Sequence, residues 1–534
     1  MNKLFISLMF VVLCIITVIG CGAPAQTPQT ISKAPAPVSA TPTATLSLAK
    51  PQYGGTLKII TRTWPAVQDA PFLARGVGTI WFPMFECCFD MDASLQRLPW
   101  LAESWDIAAD GKNITLHLRK GVKFHDGTDF NANAVKYYLT QVAPLSSALK
   151  KITSCDILDE NTIRLNFTKY DGLIMSQLGP NGYLGMIVSP TALQAPTTDE
   201  TKAKVHLVGT GSFKFLAWQR DVYARFEKFD GYWQKEKPYL DAIEFRLMAD
   251  PVSALMSFKK GDAQMLADVA AKDARDLQTM GYNILQGAIP NGPALYPDSA
   301  NPDSPFADKR VREAVEYAIN KKSLGELTWA SGFFDPISQC AKNGGRFFVP
   351  ELKPRDFDPG KAKQLLASAG YPNGFKTKLI AKTTDDKELL TAIQTFLKEV
   401  GIDATMDIAD AARYQDVATK SGWKNGLVFG SFPADINSYN TNFGLGTPEN
   451  QGNRSVLRPP GWYDKLDAGF AEPDDAKLTA MTKEMVKIIY DEVMCIPFGV
   501  KPTLAVADKS VHDIRWGDAW AYGFWTPANT WLSK

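Results

Sequence analysis

The residues of this chain whose types could carry covalent or metal chemistry are its four histidines, its seven cysteines and one short glycine-rich run. His117, His125, His206 and His512 are scattered, and no H-E-x-x-H helix or G-x-S-x-G elbow places a base beside a metal or a nucleophile. A secreted hydrolase would need such a pairing, and direct metal ligation is equally poorly served. His117 alternates with leucines and faces away from them. Gly209-Thr210-Gly211-Ser212 lacks the lysine and the wide glycine spacing of a phosphate loop. Of the cysteines, Cys87, Cys88, Cys155, Cys340 and Cys495 show no C-x-x-C spacing, and the adjacent pair is poorly placed for a mutual disulfide or for zinc. They read as small buried hydrophobes, with one incidental bridge left open and its partners unassigned. The chemistry that remains is recognition, carried by carboxylates, guanidinium groups and aromatic rings.

Where that recognition takes place is written at the N-terminus. Lys3 precedes an uncharged apolar run from Leu4 to Ile19. It is short of the roughly 20 residues that cross a bilayer and reads as a secretory signal peptide over residues 1–20. Val18-Ile19-Gly20-Cys21 resembles a bacterial lipobox, with valine where leucine is commoner. Cys21 would then be the lipidated first residue of the mature chain, each buried methylene of its acyl groups contributing about 0.8 kcal/mol of membrane affinity. Residues 21–50 are rich in Pro, Ala, Thr and Ser and low in aromatics. Such a segment buries too little apolar surface to offset its ordering entropy, so it is expected to be an extended tether.

At 534 residues the chain is too long for one core, and two or three packed units are expected beyond the tether. A charged fraction of 22% with 45% hydrophobic residues fits a globular protein. The formal net charge of +1 gives no electrostatic reason to expect nucleic acid as a partner.

Strand signals dominate the early part. Ile114, Leu116 and Leu118 alternate with polar residues between the turn formers Asp110-Gly111 and Asp126-Gly127, and Ile163, Leu165 and Phe167 repeat the pattern. Tyr53 to Ile60 opens the globular part as a glycine-led strand. Later the period becomes helical. Asp308 caps a run with Val311, Val315, Ala318 and Ile319 on one face, and Asp358 caps a second, from Pro359 to Gly370. Leu389, Leu390, Ile393, Phe396, Leu397 and Val400 stripe a third that stops at Gly401.

The run LAESWDIAADGKNITLHLRKGVKFHDGTDFNANAVKYYL, from Leu101 to Leu139, closely resembles the extracytoplasmic solute-binding proteins of family 5, which feed dipeptide, oligopeptide and nickel ABC importers. Further segments resemble the same family: the opening GGTL at Gly54, VGTGS at Val208, and FDGYW with PYLD between Phe229 and Asp241. PFADKRVREAVEYAINKK from Pro305 and DFDPGKAKQLLASAGYPNGF from Asp356 follow, so the likeness runs from about Gly54 to Trp525. It implies an α/β, two-lobed periplasmic-binding-protein-like fold of type II, with an extra subdomain in lobe one and a ligand cleft between lobes. On that expectation lobe one is 51–290 with the subdomain at 86–205, lobe two is 291–496, and 497–534 returns to complete lobe one.

The resemblance implies a non-enzymatic receptor, a monomer needing no cofactor, that closes two lobes on a solute outside the cytoplasm and presents it to the permease subunits of an importer. Peptide-binding members pair the peptide ammonium with an aspartate in a W-x-A-D-Y-P-D-P-like segment. Here the matching stretch is SFPADINSYNTNF, which retains Asp435, offers Phe432 for the tryptophan, and departs at Ile436-Asn437-Ser438. Trp64, Trp329, Phe333 and Tyr439 are candidate aromatics of the cleft, and Arg346 and Arg458 are candidate bidentate partners for a ligand carboxylate. A metal-chelate binder and a sensory receptor of the same fold stay open as alternatives.

Overall fold

The computed structural model describes residues 50–62, 80–92, 96–146, 148–180, 183–196, 206–219, 221–287, 292–329, 332–445, 452–516, 525 and 527–534. Cys21, Trp64, the signal peptide and all but the last residue of the tether lie outside them.

Two sheets organise the molecule. The first has seven strands in the order Asn283–Gln286, Leu504–Ala507, Met265–Leu266, Thr56–Thr61, Ala242–Leu247, Tyr223–Lys228 and Phe213–Gln219. Thr56–Thr61 runs parallel to both its neighbours, and the C-terminal strand Leu504–Ala507 is inserted between Asn283–Gln286 and Met265–Leu266. A four-stranded antiparallel sheet is attached to this lobe, in the order Ala102–Ile107, Asn113–Leu118, Thr162–Phe167 and Ile152–Asp159. Its alternation is the expected one: Ile114, Leu116 and Leu118 are buried while Thr115 and His117 are only half so. The apolar face of this sheet joins Leu57, Ile59, Phe226 and Phe245 in one continuous cluster, so the attached sheet has no core of its own.

The second lobe is built on five strands in the order Ile402–Ala409, Phe375–Lys382, Gly426–Ser431, Pro293–Pro297 and Ile496–Pro497. Neighbouring residues point to opposite faces. Leu295, Leu379 and Leu427 join one buried cluster, whereas Tyr296, Ile380 and Val428 join another. Helices cover both. Lys309–Ala318, Pro359–Ser368 and Lys387–Glu399 pack on the first face, capped by Asp308, Asp358 and Asp386; Ile436–Phe443, Trp462–Phe470 and Asp475–Asp491 pack on the second. The run expected to continue through Ile319 stops at Ala318, because Asn320 caps a new helix, Lys321–Thr328, through the Ser323 N–H.

The chain passes between the sheets after Gln286 and again after Pro497. The two crossings run side by side. Gly287 N donates to Thr503 O at 2.9 Å and Phe498 N to Pro293 O at 3.0 Å. A Cβ on Gly292 would lie 1.8 Å from Gly499 O, so the crossing admits backbone only. The glycines of the VGTGS turn answer a similar demand. Added Cβ atoms would lie 2.1 Å from Met84 O at Gly209 and 2.4 Å from Pro83 O at Gly211. Between them the turn holds His125, whose Nε2 bonds Gly211 O at 2.9 Å and whose Nδ1 accepts from Gly209 N at 3.3 Å. Burial lowers its pKa to about 4, so the ring is neutral.

Among the described residues, each lobe buries one glutamate. In lobe one, Glu86 accepts from Trp100 Nε1 at 2.9 Å, Tyr232 OH at 2.8 Å, Thr210 Oγ1 at 2.9 Å and Trp233 Nε1 at 3.0 Å. Burial raises its pKa to about 7 despite those four donors. In lobe two, Glu316 pairs with Lys321 Nζ at 2.7 Å and Arg355 Nη1 at 3.1 Å. Lys321 spends its other donors on Ile337 O and Ser338 Oγ, both at 2.9 Å, while Arg355 lies 3.7 Å above the Tyr490 ring.

Candidate functional site

The lobes meet across a cavity whose walls come from both. Lobe one supplies a two-stranded ribbon, Phe89–Met91 with Arg97–Pro99, and the helix Gly172–Gln177, whose N-cap Asp171 accepts from Leu173 N. Lobe two supplies the loop at Arg346 and Phe347 and the ends of the helices Ile436–Phe443, Trp462–Phe470 and Asp475–Asp491. Asn437 Nδ2 reaches Ser176 Oγ at 3.4 Å across the gap, and a Cβ on Gly172 would lie 3.5 Å from Phe470 O. The enclosed space is about 70 Å³, well below the roughly 300–1,000 Å³ of small-molecule sites. A solute of that size enters only if the lobes part.

Asp435 lines this cavity at the N-terminus of Ile436–Phe443. One carboxylate oxygen, Oδ1, closes a capping box by accepting from Ser438 N at 2.8 Å and Ser438 Oγ at 2.6 Å. Oδ2 has no hydrogen bond among the described residues and is the acceptor left for a ligand. Ser438, which departs from the family pattern, is therefore the residue that fixes the aspartate's rotamer. Facing it from lobe one, Arg97 lines the same cavity and makes no hydrogen bond or ion pair among the described residues. Sequence reasoning missed Arg97: a single basic residue in a three-residue strand leaves no periodic signal.

The other candidates are dispersed. Arg346 lines the cavity, but its guanidinium is held by Thr479 Oγ1 at 2.8 Å and by Asp475 Oδ1 at 2.5 Å. Arg458 is not a cleft residue. It donates to the carbonyls of Phe443, Asn453, Val456, Asn442 and Gly452, stapling one loop of lobe two, and burial lowers its pKa to about 10. Phe432 and Tyr439 are core residues of lobe two, the Tyr439 hydroxyl donating to Cys340 O at 3.1 Å. Trp329 stacks on Phe334 with centroids 4.8 Å apart. Phe333 is buried with Ile60, Leu504 and Val506, a lobe-one cluster. His117 sits at the surface against Asp106 Oδ2 at 2.9 Å. No group of three metal-ligating side chains occurs among the described residues.

A larger hollow of about 510 Å³ lies within lobe two beside Lys321, Ser338 and Tyr490. Its walls come from one lobe alone, so closure cannot grip a solute there.

The family described as Bacterial extracellular solute-binding proteins, family 5 Middle, matches residues 97–451. The chain belongs to that family. Its cavity lies between lobes, as binding by closure requires. Among relatives, the chain is similar to the glutathione-binding protein GsiB of Shigella flexneri, 29% identical over 483 residues, which covers 84% of this chain and 87% of that protein. Two solved structures share the two-lobed architecture. One is the ABC transporter-associated periplasmic binding protein DppA from Helicobacter pylori in complex with the peptide STSA, with a TM-score of 0.71 at 21% identity over 90% of this chain and 99% of that one. The other is NikA from Brucella suis in complex with Fe(III)-EDTA, with a TM-score of 0.73 at 21% identity over 86% and 97%. This family 5 solute-binding protein thus has the α/β two-lobed fold that its sequence motifs imply.

Proposed function

We propose that this solute-binding protein is the receptor of an ABC importer and captures peptides or peptide-like solutes that carry a free ammonium and a free carboxylate. The observation that carries the reading is the pair of unspent charges in the interlobe cavity: Asp435 Oδ2 on lobe two and the Arg97 guanidinium on lobe one. A zwitterion satisfies both. An ionised group buried without a counter-charge is costly, so closure is favourable only over a ligand that supplies the complementary charges. The named ligands of similar proteins, glutathione and the peptide STSA, are such zwitterions. The Cys21 lipid anchor belongs to the same reading, holding the receptor beside a membrane permease.

Calorimetry on the mature protein with short peptides tests this. Asp435→Asn keeps a competent helix cap and is expected to weaken binding of free-amine peptides by roughly tenfold to a hundredfold, the worth of a charged hydrogen bond. N-acetylated peptides should be bound equally by both proteins. Arg97→Gln should show the mirror pattern with free and amidated C-termini. Loss of equal size for blocked and free peptides would reject the assignment. Tight binding of a polycarboxylate metal chelate that depends on Arg97 and ignores Asp435 would move the reading to chelates, the ligand class of the NikA complex.

A further inference from the structure

We propose that Cys340 and Cys495 are joined by a disulfide in the exported protein, a covalent link between the segment under the cleft and the strand that leads back to lobe one. The register of the chain places them together. Asp335 pairs with Val500 and Pro336 with Gly499 in an antiparallel ladder, and Ile337 N donates to Phe498 O at 3.3 Å. Cys340 follows Ile337 by three residues and Cys495 precedes Phe498 by three, so both cysteines lie on the segments that this ladder brings together. The Cys340 thiol and the Tyr296 hydroxyl both lie within interaction range of the Cys495 sulfur. Both cysteines are buried in one cluster with Tyr296, Tyr439 and Met494. A disulfide closes from Cβ atoms about 3.5–4.5 Å apart, a range that two interacting thiols need little backbone movement to reach.

The family is extracellular, and exported proteins fold where thiols are oxidised. The oxidant is a disulfide, RSSR, small or protein-borne. The thiolate of one cysteine attacks a sulfur of RSSR and releases one RS⁻. The thiolate of the second then displaces the other RS⁻ from the mixed disulfide, and the two leaving groups take up the two protons that the cysteines lost. Burial raises the Cys495 thiol far above its ordinary pKa and closes it to solvent, so exchange has to precede burial, while the chain is folding. Once formed, the bridge is shielded by the same packing. Cys87 and Cys88 are buried beside each other in lobe one, adjacent in sequence and ill-placed for a mutual bridge, and half-buried Cys155 lies on the strand Ile152–Asp159 of the attached sheet.

The bridge would close a long loop and fasten Cys340, whose carbonyl receives the Tyr439 hydroxyl, beneath the helix that Asp435 caps. The test is thiol mapping on the full chain exported into an oxidising periplasm, acid-quenched, unfolded and alkylated with iodoacetamide before and after reduction. Cys87, Cys88 and Cys155 are expected to alkylate at once, and Cys340 and Cys495 only after reduction, with a linked peptide containing both. Cys88→Ala should leave that linked peptide intact, and Cys495→Ala should render Cys340 alkylatable without reductant. Reduction should also lower the melting temperature by several degrees, whatever ligand the cleft takes. Alkylation of Cys340 and Cys495 without reduction in the wild-type chain, or a bridge to any other cysteine, overturns the proposal, and this reading needs no variant to fold.

Discussion

Glu86 and Glu316 are the same side chain, both buried, and the two lobes meet the cost of burying them by opposite means. Lobe two surrounds Glu316 with cations, Lys321 and Arg355. Lobe one gives Glu86 only neutral donors: two indoles, a phenol and a hydroxyl. Dipoles stabilise an anion less than charges do, so Glu86 keeps an affinity for protons that burial has raised. One lobe is thereby coupled to pH through its core, while the other is fastened by charge pairing. A buried carboxylate is therefore no single kind of feature; its neighbours decide what removing its charge will do.

The sharpest way to break this contrast is to make one substitution at both sites. Glu316→Gln leaves Lys321 buried without an anion and Arg355 with Glu313 alone, at 3.5 Å, and is expected to cost about 3–5 kcal/mol, read as a fall in the urea midpoint. A loss under about 1 kcal/mol would mean that the cations find other partners and that the pairing is not what fastens the lobe.

Glu86→Gln should behave otherwise. The amide can present its oxygen to Trp100 and Tyr232 and donate to Thr210, whose hydroxyl turns to accept. The folded pKa, about 7, lies above the unfolded value near 4.5. The wild type is therefore favoured by its proton below pH 4.5 and loses that contribution as pH rises through 7, a change of about 3 kcal/mol. The variant lacks this change, so the stability difference should shift in its favour by that amount between pH 4.5 and 7. His125, with its pKa lowered to about 4, has the opposite slope, its contribution being lost as pH falls from 6.5 towards 4. It is common to both proteins and cancels in the difference. Parallel stability curves would show that Glu86 does not titrate in this range.

The smallest of these effects comes from one member of the cage. Trp233→Phe keeps an aromatic face beneath Arg119, which sits 4.2 Å above the indole, but removes a donor from Glu86. The expected loss is about 2 kcal/mol at pH 8, where the carboxylate is charged, and about 1 kcal/mol at pH 5. Equal losses at both would assign Trp233 a packing role alone.

Much of the scaffold was legible in the chain because periodicity and caps are local. The alternation at Ile114, Leu116 and Leu118 gave the strand Asn113–Leu118, and Asp308 and Asp358 begin helices in the structure as their cap positions imply. The site was less legible. Asp435 was found through a motif, and its orientation depends on Ser438, three residues on, where the motif is broken. Phe432 was matched to the motif's tryptophan and Tyr439 and Arg458 were assigned by residue type, and neither a match nor a type says whether an aromatic ring or a guanidinium faces a cleft or a core. Five backbone carbonyls converge on Arg458 from residues 442–456, an arrangement no spacing rule encodes. Arg97 became visible only when the ribbon carrying it was set against the other lobe.

Phe333 and Phe334 are consecutive, yet they pack with different lobes: Phe333 with Ile60, Leu504 and Val506, and Phe334 with Trp329 over Gly325 and Gly499. A change in the angle between the halves falls on the two crossings and on the short stretch of main chain that joins these rings. Two adjacent rings seated in separate apolar interiors tie the halves together at this point, like a rivet through two plates. An opening that keeps both rings seated leaves both apolar interiors undisturbed.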